Sequence, residues 1–191
     1  MVTRYFKLSD DVYVPGRWEL GAPRDRQGQK IWTWLFRRGE PAAVNGPILI
    51  PLSHPGKSLD FSVAGAAVPI VHAKVAALFN ELAPDAVQLI PVEVESGSAP
   101  YFILNTLRVV KCIDEPACEE VQHWTPEDGQ PDLIGEYRVV AGMRIDPTKV
   151  GDTKVLRPWG WPVVLLVSED IKTAMERVGV SGASFQDVTS L

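Results

Sequence analysis

The sequence predicts a single α+β domain with a mainly antiparallel or mixed sheet and two principal helices, set in two similar helix–strand units. Three observations carry that expectation. Trp161–Val188 (WPVVLLVSEDIKTAMERVGVSGASFQDV) reads as strand, helix and strand. A shift of 96 positions lays Pro69–Val92 over this unit without a gap, placing Val71 on Val167, Val75 on Ile171, Phe79 on Met175, Leu82 on Val178, Leu89 on Phe185 and Val92 on Val188. Between the two units lies Tyr101–Ile113 (YFILNTLRVVKCI), the most apolar stretch outside them.

Taken in order, Arg4–Leu8 is a short opening strand, and Pro15–Gln29 is a turn-rich loop. Ile31–Phe36 (IWTWLF) is aromatic and strand-like, and Ile48–Leu52 is a short strand bounded by prolines. Leu59–Ala64 is extended and Val68–Val71 leads into the first helix, Val71–Leu82. There Val75, Leu78, Phe79 and Leu82 form one apolar stripe, with His72 at the cap position. Val87–Glu95 alternates but contains Pro91, which fits a kink or an edge. Asn105 and Thr106 split the central segment into two strands or one bulged strand. Asp114–Gly135 is a long acidic connection with one helical turn near Pro116–Val121, and connections of that length are commonly functional or disordered. Glu136–Val140 and Met143–Ile145 resume strand character.

The last unit is the most explicit. Val163–Val167 are too few apolar residues to span a membrane and suit a buried strand. Ser168 occupies the N-cap position of the second helix, Ser168–Val178, and Glu169 and Asp170 place negative charge on the positive end of its dipole. Ile171, Ala174, Met175 and Val178 recur at helical spacing. Gly179 and Gly182 bracket the exit, where a left-handed residue costs little without a Cβ, and Ala183–Val188 returns as a strand.

At 191 residues the chain can bury a full core without staples. Met1–Asp11 has no apolar signal-peptide core and no run approaches membrane-spanning length, so the expectation is a cytoplasmic protein without a membrane partner. Two cysteines do not make a disulfide framework. The net charge of −5 argues against nucleic acid as a partner. Its distribution is uneven: Cys112–Glu136 holds eight carboxylates and no Lys or Arg, which leaves +3 for everything else. Such a block is either a solvated face or an electrostatic docking surface for a basic partner.

Candidate chemistry is sparse. Gly56-Lys57-Ser58 follows a strand, but a phosphate loop needs a glycine where Pro51 stands and a helix where Leu59–Val63 reads as extended. Cys112, Cys118 and His123 match no common zinc spacing and supply only three ligands. No flanking motif supports a Cys118–His123 nucleophile, and His54 has no acidic neighbour at a telling spacing. The reading is therefore no catalytic site, no metal and no cofactor; the alternatives are a small enzyme using Cys118/His123 or His54, or a structural or regulatory subunit. The aromatic residues point elsewhere. Trp124 sits inside the acidic block, and Trp159 and Trp161 flank a glycine between two prolines. Tryptophan in such a loop beside charges is the composition of a protein–protein hot spot. The candidate partner-binding residues are Glu119, Glu120, Trp124, Glu127, Asp128, Trp159 and Trp161.

Several stretches in order also carry a resemblance: Leu59–Val71, Leu89–Glu95, Tyr101–Cys118, His123–Gly151 and, above all, Arg157–Val188 with its valine–serine–acid helix start, Gly182 and Phe185. Together they resemble bacterial immunity protein family eleven, typified by a myxobacterial immunity protein. The likeness is strongest from Asp60 onward, so the single domain divides into N-terminal strands and loops over 1–58 and a best-matching region over 59–191. The resemblance implies an antidote that binds a cognate toxin encoded by the adjacent gene. It carries no site motif, and it leaves the toxin, the stoichiometry and the oligomeric state open.

Overall fold

The computed structural model describes residues 3–190 apart from 96 and 98. Strand β1 (Tyr5–Asp10) opens the chain, followed by β2 (Glu19–Leu20), a 3-10 turn at Thr33–Phe36, β3 (Ile48–Ile50) and β4 (Leu52–His54). A hairpin of β5 (Phe61–Ala64) and β6 (Val68–His72) leads into α1 (Ala73–Leu82), and then come β7 (Val87–Val94), β8 (Tyr101–Thr106) and β9 (Val109–Val110). After β10 (Glu120–His123) and β11 (Tyr137–Ala141), the chain forms β12 (Val155–Pro158), β13 (Leu165–Ser168), α2 (Glu169–Arg177) and β14 (Ala183–Asp187). These build a seven-stranded sheet in the order β3-β7-β8-β6-β5-β2-β4, a five-stranded sheet in the order β14-β1-β13-β12-β9, and the separate ribbon β10-β11. The molecule is an α+β domain with mixed sheets.

The two large sheets repeat one another at a shift of 96 residues. In the first, Val71 pairs with Phe102 and His72 with Tyr101 across β6 and β8; in the second, Val167 pairs with Phe6 and Ser168 with Tyr5 across β13 and β1. Every one of those positions maps onto its counterpart at the same interval. The next ladder agrees: Leu89 faces Leu104 and Ile90 faces Ile103, as Phe185 faces Leu8 and Gln186 faces Lys7. The links into the helices agree too, with Ala73 N–H donating to the Pro100 carbonyl at 3.0 Å and Glu169 N–H to that of Arg4 at 2.9 Å. Even the outer edge is matched, since Leu49 pairs with Glu93 in parallel and Ile145 with Thr189. The β12–β13 hairpin slips: Ser168 N–H finds the Lys154 carbonyl where His72 N–H finds Asp60, an offset of 94, and beyond it the parallel neighbours differ, Leu20 pairing with Ala64 but Val109 with Arg157.

The consequence is a reciprocal exchange of strands. β8, the first strand of the second repeat, lies between β6 and β7 of the first, while β1 lies between β13 and β14 of the second. Tyr5-Phe6-Lys7-Leu8 and Tyr101-Phe102-Ile103-Leu104 are the sequence trace of that exchange.

Both helices pack against each other and over both sheets. Val75, Ala76 and Phe79 of α1 and Ile171 and Met175 of α2 share one core cluster with Phe6, Phe61, Val71, Leu104, Val155 and Val167. A second cluster, with Trp18, Phe36 and Ile50, covers the far face of the seven-stranded sheet, and a third, with Tyr5, Cys112, Tyr137 and Ile145, covers that of the five-stranded sheet. The helix exit explains the glycines: Gly182 holds φ +84° and its Cα lies so close to the Phe61 carbonyl that a Cβ would not fit.

Several expectations need correction. Ile31–Phe36 is not a strand; it folds into the 3-10 turn, burying Phe36 while Trp32 and Trp34 face solvent, where a strand would have put all three on one face. The acidic connection is not one long loop with a helical turn at Pro116–Val121: after a 3-10 turn at Glu115–Ala117, β10 pairs antiparallel with β11. The helices begin at Ala73 and Glu169, because the preceding strands run on through His72 and Ser168. Ser168 holds the cap conformation, but its hydroxyl makes no cap bond, whereas His72 Nδ1 accepts from Lys74 N–H at 3.3 Å. Met143–Ile145 forms isolated bridges at Ile145 and no strand of its own. The central segment resolves into two strands, β8 and β9, and Pro91 falls just before β7 gains β3 as its second neighbour.

Candidate partner-binding site

The acidic block gathers on the β10–β11 ribbon. Glu119, Glu120, Glu127 and Asp132 are exposed, the stem of Glu119 lying over Gly142. Asp128 is committed elsewhere: it accepts from Thr125 N–H at 2.9 Å and from the Thr125 hydroxyl, and it pairs with Arg138 at 2.6 Å. Those donors, the Thr125 amide foremost, hold its carboxyl below the usual range. Trp124 is half-buried, with the Arg138 guanidinium 5.7 Å from its ring centre. Of the predicted acidic residues, then, Glu119, Glu120 and Glu127 are exposed, Glu120 accepting from the Gln122 side chain, and Asp128 shapes the turn that presents Glu127.

The two loop tryptophans diverge. Trp161 is partly buried against the third core cluster. Trp159 is exposed, with the Lys111 ammonium 5.0 Å from its ring centre, and its amide donates to the Val110 carbonyl at 2.9 Å. The turn between them is tied to the ribbon by Tyr137 N–H donating to the Gly160 carbonyl at 3.1 Å. Trp159 therefore stands beside the acidic ribbon, and Glu136 at the end of the block shares a cleft with it.

That cleft, about 330 Å³ in volume, was not legible from the sequence. Its other walls come from the N-terminal third: Trp34, Arg37 and Arg38, with Val109 from β9. Trp34 is exposed, the Arg38 guanidinium lies 4.7 Å from its ring centre, and Arg38 pairs with Glu40 at 3.0 Å. Behind the cleft lies Arg157, fully buried, its guanidinium donating to the carbonyls of Pro162 at 2.7 Å and Ala67 at 3.1 Å. Burial and the neighbouring Arg37 charge pull its pKa down to about 10, so it stays cationic at neutral pH.

The residues considered for catalysis are occupied by other partners. Cys112 is buried, which pushes its thiol up to about 12. Cys118 Sγ lies 3.3 Å from the Asp114 carbonyl and accepts from Arg144 N–H at 3.3 Å. His123 meets the Gly135 carbonyl through Nδ1 at 3.2 Å and Glu115 through Nε2 at 3.3 Å. The Tyr137 hydroxyl donates to Glu115 at 2.8 Å, and that bond, with His123 second, holds the Glu115 carboxyl low. His54 has no acidic neighbour close in sequence, but β2 pairs with β4 and brings Glu19 to 2.9 Å from Nδ1, on an exposed edge. Among the described residues, no group of three His, Cys, Asp or Glu side chains is placed to hold a metal ion. Among those residues, too, no helix is long and apolar enough to cross a membrane.

A mixed-sheet α+β scaffold presenting an acidic ribbon beside a tryptophan-lined cleft has the features of a protein-binding module. The comparison with protein families places it: residues 59–190 match the model of the Immunity protein family (Imm11), and the chain belongs to that family. A search of curated proteins finds no match. The family suggests toxin immunity and, with it, a toxin as partner.

Proposed function

We propose that this protein is a cytoplasmic antidote that neutralises a cognate bacterial toxin, encoded by the adjacent gene, by stoichiometric binding rather than catalysis. The observation that carries this reading is the family match over residues 59–190. The surface supports it with a means of recognition. Glu119, Glu120 and Glu127 project from a ribbon braced by Asp128, and they would steer association with a basic region of the toxin, such as one built to hold nucleic acid or nucleotides. Trp124, Trp159 and Trp161 lie on or beside that ribbon and complete the proposed face.

The test is co-expression of the tagged chain with the product of the adjacent gene. A complex of fixed stoichiometry, formed by a neighbour that is toxic alone and harmless in company, is the expected result. Reversing Glu119, Glu120 and Glu127 to Lys should slow association on the order of tenfold or more at low salt and far less at high salt. A neighbour that neither binds nor loses toxicity would overturn the reading.

A further inference from the structure

Buried and half-buried charges in proteins are almost always paired, because an uncompensated ion in a low-dielectric surrounding is costly. Two arginines of this molecule break that rule side by side. Arg157 is fully buried and is satisfied only by main-chain carbonyls, with its Nε left unpartnered. Arg37, on the cleft wall, has a buried and unpartnered Nε and no carboxylate partner among the described residues. The two are close enough that Arg37 disfavours the charge on Arg157, and burial disfavours the charge on Arg37 itself. Glu136 shares the cleft but forms no ion pair with either arginine, and Glu40 is already held by Arg38. The cleft is thus a concave site with exposed tryptophan walls and two adjacent arginines, and among the described residues the carboxylate in its wall, Glu136, pairs with neither of them.

We propose that this cleft receives a carboxylate side chain, an Asp or Glu flanked by apolar residues, presented by the partner protein, with Arg37 as its direct ligand and Trp34 and Trp159 as its apolar walls. The proposal rests on the toxin-binding reading above and names one anchor within it. Val109 in the wall is exposed, and so is Trp32, two residues before Trp34; this much exposed apolar surface suits a protein partner better than a small ion. Glu136 in the wall would repel a doubly charged phosphate more than a single carboxylate. Arg37 offers a guanidinium fork, the geometry that binds a carboxylate with two parallel hydrogen bonds. The partner face so defined is mixed in sign: basic groups opposite the acidic ribbon and one acidic anchor opposite Arg37.

The experiment measures affinity for the adjacent-gene product with the full chain and its variants, after thermal unfolding has shown which variants fold. Arg37→Met should weaken binding roughly thirtyfold or more, mainly through faster dissociation. Trp159→Ala should weaken it about fivefold or more. Arg37→Lys, which keeps the charge but not the fork, should fall between Arg37→Met and the wild type, and it carries the test if Arg37→Met does not fold. Wild-type affinity in Arg37→Met, or in Arg37→Lys and Trp159→Ala together, overturns the proposal. If the adjacent-gene product does not bind the wild-type chain at all, the toxin reading fails and the cleft is tested separately. Tryptophan fluorescence is then titrated with a hexaglutamate peptide, a hexalysine peptide and inorganic phosphate. A saturable change with hexaglutamate alone, lost in Arg37→Met, supports the cleft as a carboxylate site. No change with hexaglutamate, or an equal change with phosphate, overturns it.

Discussion

The two repeats of this chain, offset by 96 residues, keep the same ladder registers around the exchanged strands and the same helix entry, yet they differ in what they attach to that frame. The clearest case is an ion pair. In the first repeat Lys74, the second residue of α1, pairs with Asp60 at 2.8 Å; in the second, Asp170, the second residue of α2, pairs with Lys154 at 3.0 Å. Asp60 and Lys154 occupy equivalent positions, since each carbonyl receives the amide of the residue before its helix. An equivalent bridge stands in each repeat, with its signs reversed. The loops have diverged further: residues 11–47 carry six basic and four acidic side chains, and residues 107–143 carry three basic and eight acidic. Where the inner backbone ladders set the geometry, the repeats agree; at the helix entry the ion pair is inverted; in the loops the charges differ, and the loops supply opposing walls of the cleft. The scaffold is symmetric and the candidate site is not.

The comparison can be broken most forcefully in the shared core. Phe79 and Met175 are equivalent positions on α1 and α2, both fully buried in the same cluster. Phe79→Ala is expected to cost about 3–5 kcal/mol and Met175→Ala about 2–5 kcal/mol. Because β1 and β8 are exchanged between the repeats, each variant should still unfold in one cooperative transition by urea denaturation, read by both circular dichroism and fluorescence. Two separated transitions in either variant would mean that the repeats are independent folding units, and the exchange would lose its energetic meaning.

A smaller contrast lies in the inverted ion pairs. Asp60 does more than pair with Lys74: it accepts from Ser181 N–H at 2.8 Å and from the Ser181 hydroxyl at 2.8 Å, tying the two repeats together. Burial raises its pKa, but the bonds from Lys74 and Ser181 outweigh that and hold the carboxyl below its usual range. Asp60→Ala strands the Ser181 donor and should cost about 1–3 kcal/mol. Lys154→Met removes only a solvent-exposed pair and should stay within about 1 kcal/mol. A depressed folded pKa fixes the pH dependence. The contribution of Asp60 is complete above the unfolded carboxyl value, about 4, and is lost as pH falls through the lower folded value. Urea midpoints from pH 7 down to pH 2 should therefore converge between wild type and Asp60→Ala at the acid end, while Lys154→Met tracks the wild type more closely throughout. Equal costs for the two variants at neutral pH would erase the distinction.

What could be read from the chain follows the same division. The apolar stripes of both helices, the hairpins leading into them and the 96-residue match from Pro69 to Val92 were legible because burial imposes a period on a local segment. The exchange of β1 and β8 was not, since its trace is two tetrapeptides, and a strand that short is matched by many apolar runs. Extending the 96-residue shift to Tyr5 and Tyr101 was the signal that would have found it. The ribbon was missed because the alternation in Glu120–His123 places Val121 and His123 only half-buried beside fully exposed Glu120 and Gln122. The cleft lay furthest from view: Arg37 and Trp159 are 122 positions apart, and no local pattern says that the turns carrying them will face each other.

The finest contrast concerns the two helix caps. His72 caps α1 through Nδ1 at 3.3 Å, while Ser168, the residue type more often found at such a position, leaves its buried hydroxyl without a partner. The difference has a local cause. Ser168 is the last residue of β13 and is 1% exposed, so its hydroxyl is enclosed, and α2 instead has Glu169 and Asp170 against the positive end of its dipole; α1 has no acidic residue in its first turn and relies on the imidazole. A cap serine ordinarily contributes about 1 kcal/mol, but a buried hydroxyl with no bond contributes only its desolvation cost. Ser168→Ala should therefore leave stability unchanged or raise it slightly, and His72→Ala should lower it by about 0.5–1 kcal/mol, both read from urea midpoints at pH 7. A loss of 1 kcal/mol or more in Ser168→Ala would show that the hydroxyl is bonded in solution after all, and the two helix entries would then be alike in energy as well as in register.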